Sequence, residues 1–156
     1  MLRPSELCCD CGLCCDGTLF SSLSLDAVGL SAARDHRLPV LQTHSGANLA
    51  LPCAALQGVL CRIYEGRPQC CAEYECELLL RVTDHRQSFE QARKTIEATR
   101  EIHRRVTAAV GRTRWWSAYR SALDAERTDS EWARDNADLL SDLKQLDKLI
   151  RRYFWG

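Results

Sequence analysis

Cys8-Cys9-Asp10-Cys11-Gly12-Leu13-Cys14-Cys15 is the stretch on which the reading of this sequence turns. Cys8, Cys11 and Cys14 recur at every third position, and Cys15 follows at once. A Cys-x2-Cys step places two sulfurs on one ion, as structural zinc sites do. Gly12 lets the backbone turn tightly, so that successive thiolates converge. Carrying the step on to Cys14 gives a run like that of ferredoxins, where close cysteines and a distant one complete a cluster site. Thiolates are soft, charged ligands that suit zinc, cuprous copper and iron–sulfur clusters far better than magnesium or calcium. Neighbouring side chains such as Cys14 and Cys15 serve two centres, or different atoms of one cluster, more easily than one tetrahedral ion. The run therefore predicts more than one metal ion.

Working outward, a second set follows: Cys53, Cys61, Cys70, Cys71 and Cys76, with no cysteine after it. Gly66 and Pro68 imply a fixed turn between Cys61 and the Cys70-Cys71 pair. Met1 to Leu7 has no apolar core of a secretory leader. The expected setting is a reducing, cytoplasmic one, where dense cysteines read as metal ligands before disulfides. The even count of 10 cysteines also permits a secreted disulfide framework, which Cys-x-x-Cys spacing disfavours. No apolar run approaches the length that spans a bilayer. The formal net charge is zero, which argues against nucleic acid or an anionic membrane as partner.

The 156 residues suit one domain, or a small domain with an appendage. Thr18 to Leu25 alternates loosely and predicts a short extended segment. Asp26 caps an expected helix to His36 with Val28, Leu30 and Ala33 on its apolar side, and Pro39 ends it. Ser45 to Asn48 reads as a turn, and Asn48 to Pro52 as extended. Glu77 to Val82 begins a helix that leaves the cysteine region. Ser88-x-x-Gln91 is a candidate capping box. Behind it, Phe89, Ala92, Ile96, Thr99, His103, Val106 and Val110 mark one face of a long helix. Trp115, Trp116, Tyr119 and Leu123 suggest a shorter helix. Thr128-x-x-Glu131 reads as a second capping box, ahead of Trp132, Asn136, Leu139, Leu143, Leu146, Ile150 and Tyr153. The expected fold is mainly α: a small irregular cysteine-rich metal-binding domain over residues 1–83, with few or no short strands, then a helical region over 84–156 forming an antiparallel hairpin or three-helix extension.

The cysteine pattern resembles the YkgJ-type CxxCxxCC family, described as zinc- or iron-chelating. The opening motif matches Cys8, Cys11, Cys14 and Cys15. The downstream motif matches Pro52-Cys53, Cys61-Arg62-Ile63-Tyr64, Arg67-Pro68, Cys71, Tyr74 and Cys76. The likeness covers about residues 8–82. It implies eight ligands: Cys8, Cys11, Cys14, Cys15, Cys53, Cys61, Cys71 and Cys76. Cys9 and Cys70 are extra to the motif and stand outside that set. The resemblance implies metal binding without a reaction. Tyr64 and Arg67 belong to the motif without being ligands; Arg67 is expected either to neutralise a thiolate site or to stack on Tyr64 as a structural residue.

Other candidates are weaker. None of His36, His44, His85 and His103 stands at ligand spacing to a cysteine, and His85 is the best of them. Trp115-Trp116 among arginines reads as a core-facing pair before a nucleic-acid platform. The leucines from 139 to 150 can seam within the chain or in a homodimer. The leading expectation is a metal-binding protein holding zinc or an iron–sulfur or polynuclear iron centre, in an accessory, electron-transfer or metal-handling role. The alternative is a zinc-stabilised module that engages a protein partner through its helices. A metal-dependent enzyme ranks last, for want of a catalytic motif.

Overall fold

The computed structural model describes residues 6–111 and 114–156. It is mainly helical, with a few short antiparallel strands. The chain divides into two compact units, one ending at Arg93 and the other beginning at Lys94. That boundary falls inside the long helix Phe89–Val110.

The first unit opens with α1 (Glu6–Cys11), so the cysteine run begins as a helical turn and only then becomes a loop. Next come β1 (Ser22–Leu25), α2 (Ala27–Asp35), β2 (Val40–Thr43) and β3 (Gly46–Ala50). Asp26 caps α2, its carboxylate accepting from the Gly29 amide at 2.7 Å. Ala33 is buried, but Val28 is 65 % exposed, so the expected apolar face of α2 is narrower than its sequence suggests. The turn expected over Ser45 to Asn48 is shorter and earlier, at His44 and Ser45: it joins β2 and β3 with Thr43 opposite Gly46, and Gly46 to Asn48 already belong to β3. β2 itself was not foreseen; exposed Leu41, Gln42 and Thr43 give it no apolar alternation.

β3 is the middle strand of an antiparallel sheet of order β1-β3-β2. Leu49 faces Leu23 on one side and Val40 on the other, which explains its near-complete burial. Ala33, Leu38, Leu49 and Ala55 form the apolar cluster, with Cys53, Ile63 and Cys71 packed against it. The chain then makes the small hairpin β4 (Leu56–Gln57) and β5 (Leu60–Cys61), a 3-10 turn at Tyr64–Gly66, α3 (Gln69–Ala72) and α4 (Glu77–Thr83).

α5 (Phe89–Val110) starts at the expected capping box. Ser88 Oγ accepts from the Gln91 amide at 3.2 Å, and Gln91 Oε1 accepts from the Ser88 amide at 3.1 Å. The second unit holds most of α5 together with α6 (Trp115–Arg127), α7 (Glu131–Asp135), α8 (Ala137–Ile150) and a π-helical turn at Arg151–Trp155. Its buried residues include Ile96, Thr99, Ile102 and Val106 of α5, Trp115 and Ala122 of α6, and Leu140, Leu143, Leu146 and Ile150 of α8. Leu143, Leu146 and Ile150 are therefore covered by the chain itself. Arg105 holds Asp142 through two bonds, at 2.9 and 2.6 Å, fastening α5 to α8.

The second expected capping box is corrected. Thr128 ends α6, its hydroxyl donating back to the carbonyls of Asp124 and Ala125. Ser130 caps α7 instead, accepting from Ala133 at 3.3 Å. The continuous stripe from Trp132 is also broken at Asn136, where ψ of 32° closes α7 before α8 begins. Trp115 is buried as expected, edge-on to Trp116 and stacked with Trp155. Among the described residues no helix is long and apolar enough to cross a membrane.

Candidate metal centre

All ten cysteines are free thiols; Cys8 is exposed and the other nine are half-buried. Cys8 and Cys11 are three residues apart on α1 and so share one of its faces. Gly12 then turns the chain with a φ of +71°, as its place in the motif predicts. The turn is closed by hydrogen bonds from the Cys15 and Asp16 amides to the Gly12 carbonyl, at 3.0 and 2.9 Å. A side chain at Gly12 would meet the Cα of Val59 at 3.2 Å, so this turn lies hard against the β4–β5 hairpin. That hairpin pairs Cys61 with Leu56. The Cys53 amide donates to the Cys15 carbonyl at 2.7 Å, drawing the first cysteine run to the second.

The thiols influence one another in two groups. Burial pushes Cys11 up to about 12, with Cys76 and Cys8 adding to it and the Leu13 amide opposing. Burial also raises Cys14 well above its ordinary value, helped by Cys11, Cys76, Cys15 and Cys8. Cys8, at about 11, answers to burial first, then to Cys76 and Cys9. Enough protein surrounds its sulfur for burial to lead despite its exposed edge. Cys76 precedes α4, and its thiol is raised by burial, while the amides of Leu79 and Leu78 favour the thiolate without closing a capping hydrogen bond. Cys8, Cys11, Cys14 and Cys76 thus form the first group.

Cys15 turns the other way. Burial raises it to about 11, and Cys53 and Cys61 come next among the causes. Cys53 is raised by burial and by Cys61, against the amides of Ala55 and Leu56. Cys71 is raised by burial, then by Cys70, Cys15 and Cys53. Cys15, Cys53, Cys61 and Cys71 form the second group. Adjacent Cys14 and Cys15 take their leading thiol neighbours from different groups, though Cys15 also acts on Cys14 and Cys8 on Cys15. Among the described residues no three Cys, His, Asp or Glu side chains are drawn together tightly enough to hold an ion as they stand. The groups are neighbourhoods of soft donors, not closed coordination shells.

Residues 7–104 match the family model "CxxCxxCC: Putative zinc- or iron-chelating domain", more than half the chain. The chain belongs to this CxxCxxCC family. Neither a curated protein nor a solved structure matches it. The CxxCxxCC match runs beyond the last cysteine into α5, past the span over which the sequence motif is recognisable.

Two non-cysteine residues of the CxxCxxCC motif border the thiols. The Arg67 guanidinium lies 3.7 Å from the centre of the Tyr64 ring, and its Nη1 donates to the Tyr64 carbonyl at 2.5 Å. The same charge favours the thiolate of Cys8. Stacking and neutralisation, posed above as alternatives, coexist in one side chain. Tyr74 stands edge-on to Phe20, and burial followed by Cys14, Cys76 and Cys11 pushes its phenol upward. It borders the first group; the sequence reading noticed it only as a motif aromatic, because a phenol has no ligand spacing to betray it. His85 is exposed beyond α4, in the left-handed region at a φ of 57°.

Proposed function

We propose that this chain is a metal-handling or electron-transfer protein whose eight motif cysteines hold two centres: Cys8, Cys11, Cys14 and Cys76 at one, Cys15, Cys53, Cys61 and Cys71 at the other. The observation that carries this reading is that the motif thiols' leading influences on one another fall within two sets of four, linked by the weaker influences of Cys15 on Cys14 and of Cys8 on Cys15, together with the Cys53 amide bonded to the Cys15 carbonyl. Four thiolates are the complete donor set of a closed zinc site and also of an iron–sulfur cluster. Such a set leaves no open position for a substrate, which favours storage, transfer or electron carriage over Lewis-acid catalysis. A bound cluster would supply one-electron chemistry; bound zinc would supply folding energy. Around the first group, Arg67 offsets thiolate charge and the amides of Leu78 and Leu79 favour an anionic Cys76.

Anaerobic purification with metal, acid-labile sulfide and visible absorption measurements tests the reading. Iron and sulfide in similar amounts, with brown colour, assign clusters and an electron-transfer role. About two zinc ions per colourless chain favour the zinc-stabilised module, with its function sought on the helices. A chain that takes up neither metal overturns the proposal. Cys11→Ser is expected to lower bound metal sharply, and Cys9→Ser to leave it unchanged.

A further inference from the structure

The family motif leaves Cys70 out, yet the Cys70 and Cys71 sulfurs stand only 3.9 Å apart. Two thiolates bound at about 2.3 Å to one tetrahedral ion lie about 3.8 Å from each other. The pair already has the separation of two ligands on one metal, so these two neighbours can share an ion against the general tendency of adjacent side chains to serve different centres. Successive side chains on a helix diverge by about 100°, so two adjacent residues of α3 reach this spacing only by turning their sulfurs towards each other. Apolar packing accounts for Cys71, which lies against the Ala33, Leu38, Leu49 and Ala55 cluster; Cys70 is not part of that packing. Both thiols are half-buried, and after Cys70 the groups that act on Cys71 are Cys15 and Cys53.

We propose that Cys70 is a metal-binding thiol of the second group, giving that centre five sulfurs for the four positions of a thiophilic ion such as zinc or ferrous iron. This rests on the reading of the second group as a metal centre. A spare thiol lets one ligand replace another without an open position ever forming, the entering thiol giving up its proton as it bonds the metal and the displaced thiolate taking one up as its bond breaks. The second centre is then the one that accepts and gives up metal readily, and the first the one that keeps it.

The test uses the full chain, reduced, stripped of metal and titrated anaerobically with cobalt(II), whose thiolate charge-transfer absorption reports bound sulfur. Wild type, Cys70→Ser, Cys71→Ser and the double variant are compared. The expected result is that Cys71→Ser retains clearly more cobalt than the double variant, which falls to about half of wild type as one of two four-thiolate sites is lost. Cobalt uptake by Cys71→Ser equal to that of the double variant, with Cys70→Ser like wild type, overturns the inference. Alkylation of the wild-type chain with iodoacetamide needs no variant to fold: bound cobalt should protect Cys70 along with Cys71. Equal labelling of Cys70 with and without cobalt overturns the inference and leaves the two-centre reading standing. A wild-type chain that binds no cobalt removes both.

Discussion

Cys11 bears the cost of crowding thiols away from water. Its thiol is pushed up to about 12, and those of Cys8 and Cys15 to about 11, from an ordinary value of 9.0, with burial the leading cause each time. In the metal-free chain these groups hold their protons to higher pH when folded than when unfolded. The folded state therefore binds more protons between pH 9.0 and about 12, and stability falls as pH rises through that window. Below it the contribution is fully present. Urea denaturation of the metal-free chain is expected to show a lower midpoint near pH 10.5 than near neutrality (roughly the middle and the foot of this window). A midpoint that holds or rises would mean that these sulfurs are not buried as thiols. Loaded protein should show the opposite trend, losing metal as acid reprotonates its ligands. At this scale the sequence was most informative: the spacing of Cys8, Cys11, Cys14 and Cys15 is itself coordination chemistry. It marked Tyr74 as a motif aromatic and set Cys70 outside the ligands, but which side chain turns towards which sulfur is a matter of packing that spacing does not carry.

The turn between α1 and the β4–β5 hairpin is the element on which the meeting of the two cysteine runs depends. Gly12 has a φ of +71°, and the Cα of Val59 stands 3.2 Å from where a Cβ would be. Gly12→Ala is expected to cost about 1–2 kcal/mol from the left-handed backbone alone, and more because the obstructing atom belongs to backbone. Chemical denaturation of the variant measures this; an unchanged midpoint would mean the turn is not under that constraint. Elements were legible where a local rule had no competitor. Ser88 and Gln91 satisfy each other's amides and open α5 as their spacing foretells. Thr128 obeys the same rule on paper, but its hydroxyl is taken by the carbonyls that close α6, and Ser130 caps α7 in its place. The break at Asn136 carries no glycine or proline to announce it, so a single stripe was read through two helices.

Over the whole molecule, composition separates two ways of being stable. The second unit buries Leu143, Leu146, Ile150, Phe154, Ile96 and Val106, an ordinary helical core. The first unit also buries leucines, among them Leu7, Leu13, Leu19, Leu49, Leu51 and Leu78, but in its cluster of Ala33, Leu38, Leu49 and Ala55 thiols complete the edge, Cys53 and Cys71 packing against it. Metal held by those thiols would add its binding energy to the folding of this unit. The mainly helical class and the concentration of cysteines in the first half were readable from the sequence. Chelation should therefore act unevenly. Under reducing conditions, stripping the metal-loaded chain with a strong chelator is expected to speed amide hydrogen exchange in α1, β1 to β5, α3 and α4 by at least about tenfold, since metal binding and folding are coupled there. The amides of α6 and α8 should keep their protection, because their core contains no thiol. Mass spectrometry of peptides from the two units reads this directly. Equal acceleration in both would show that the helices too depend on the metal; no acceleration in the first would show that its apolar packing suffices, and that the cysteines serve transfer alone.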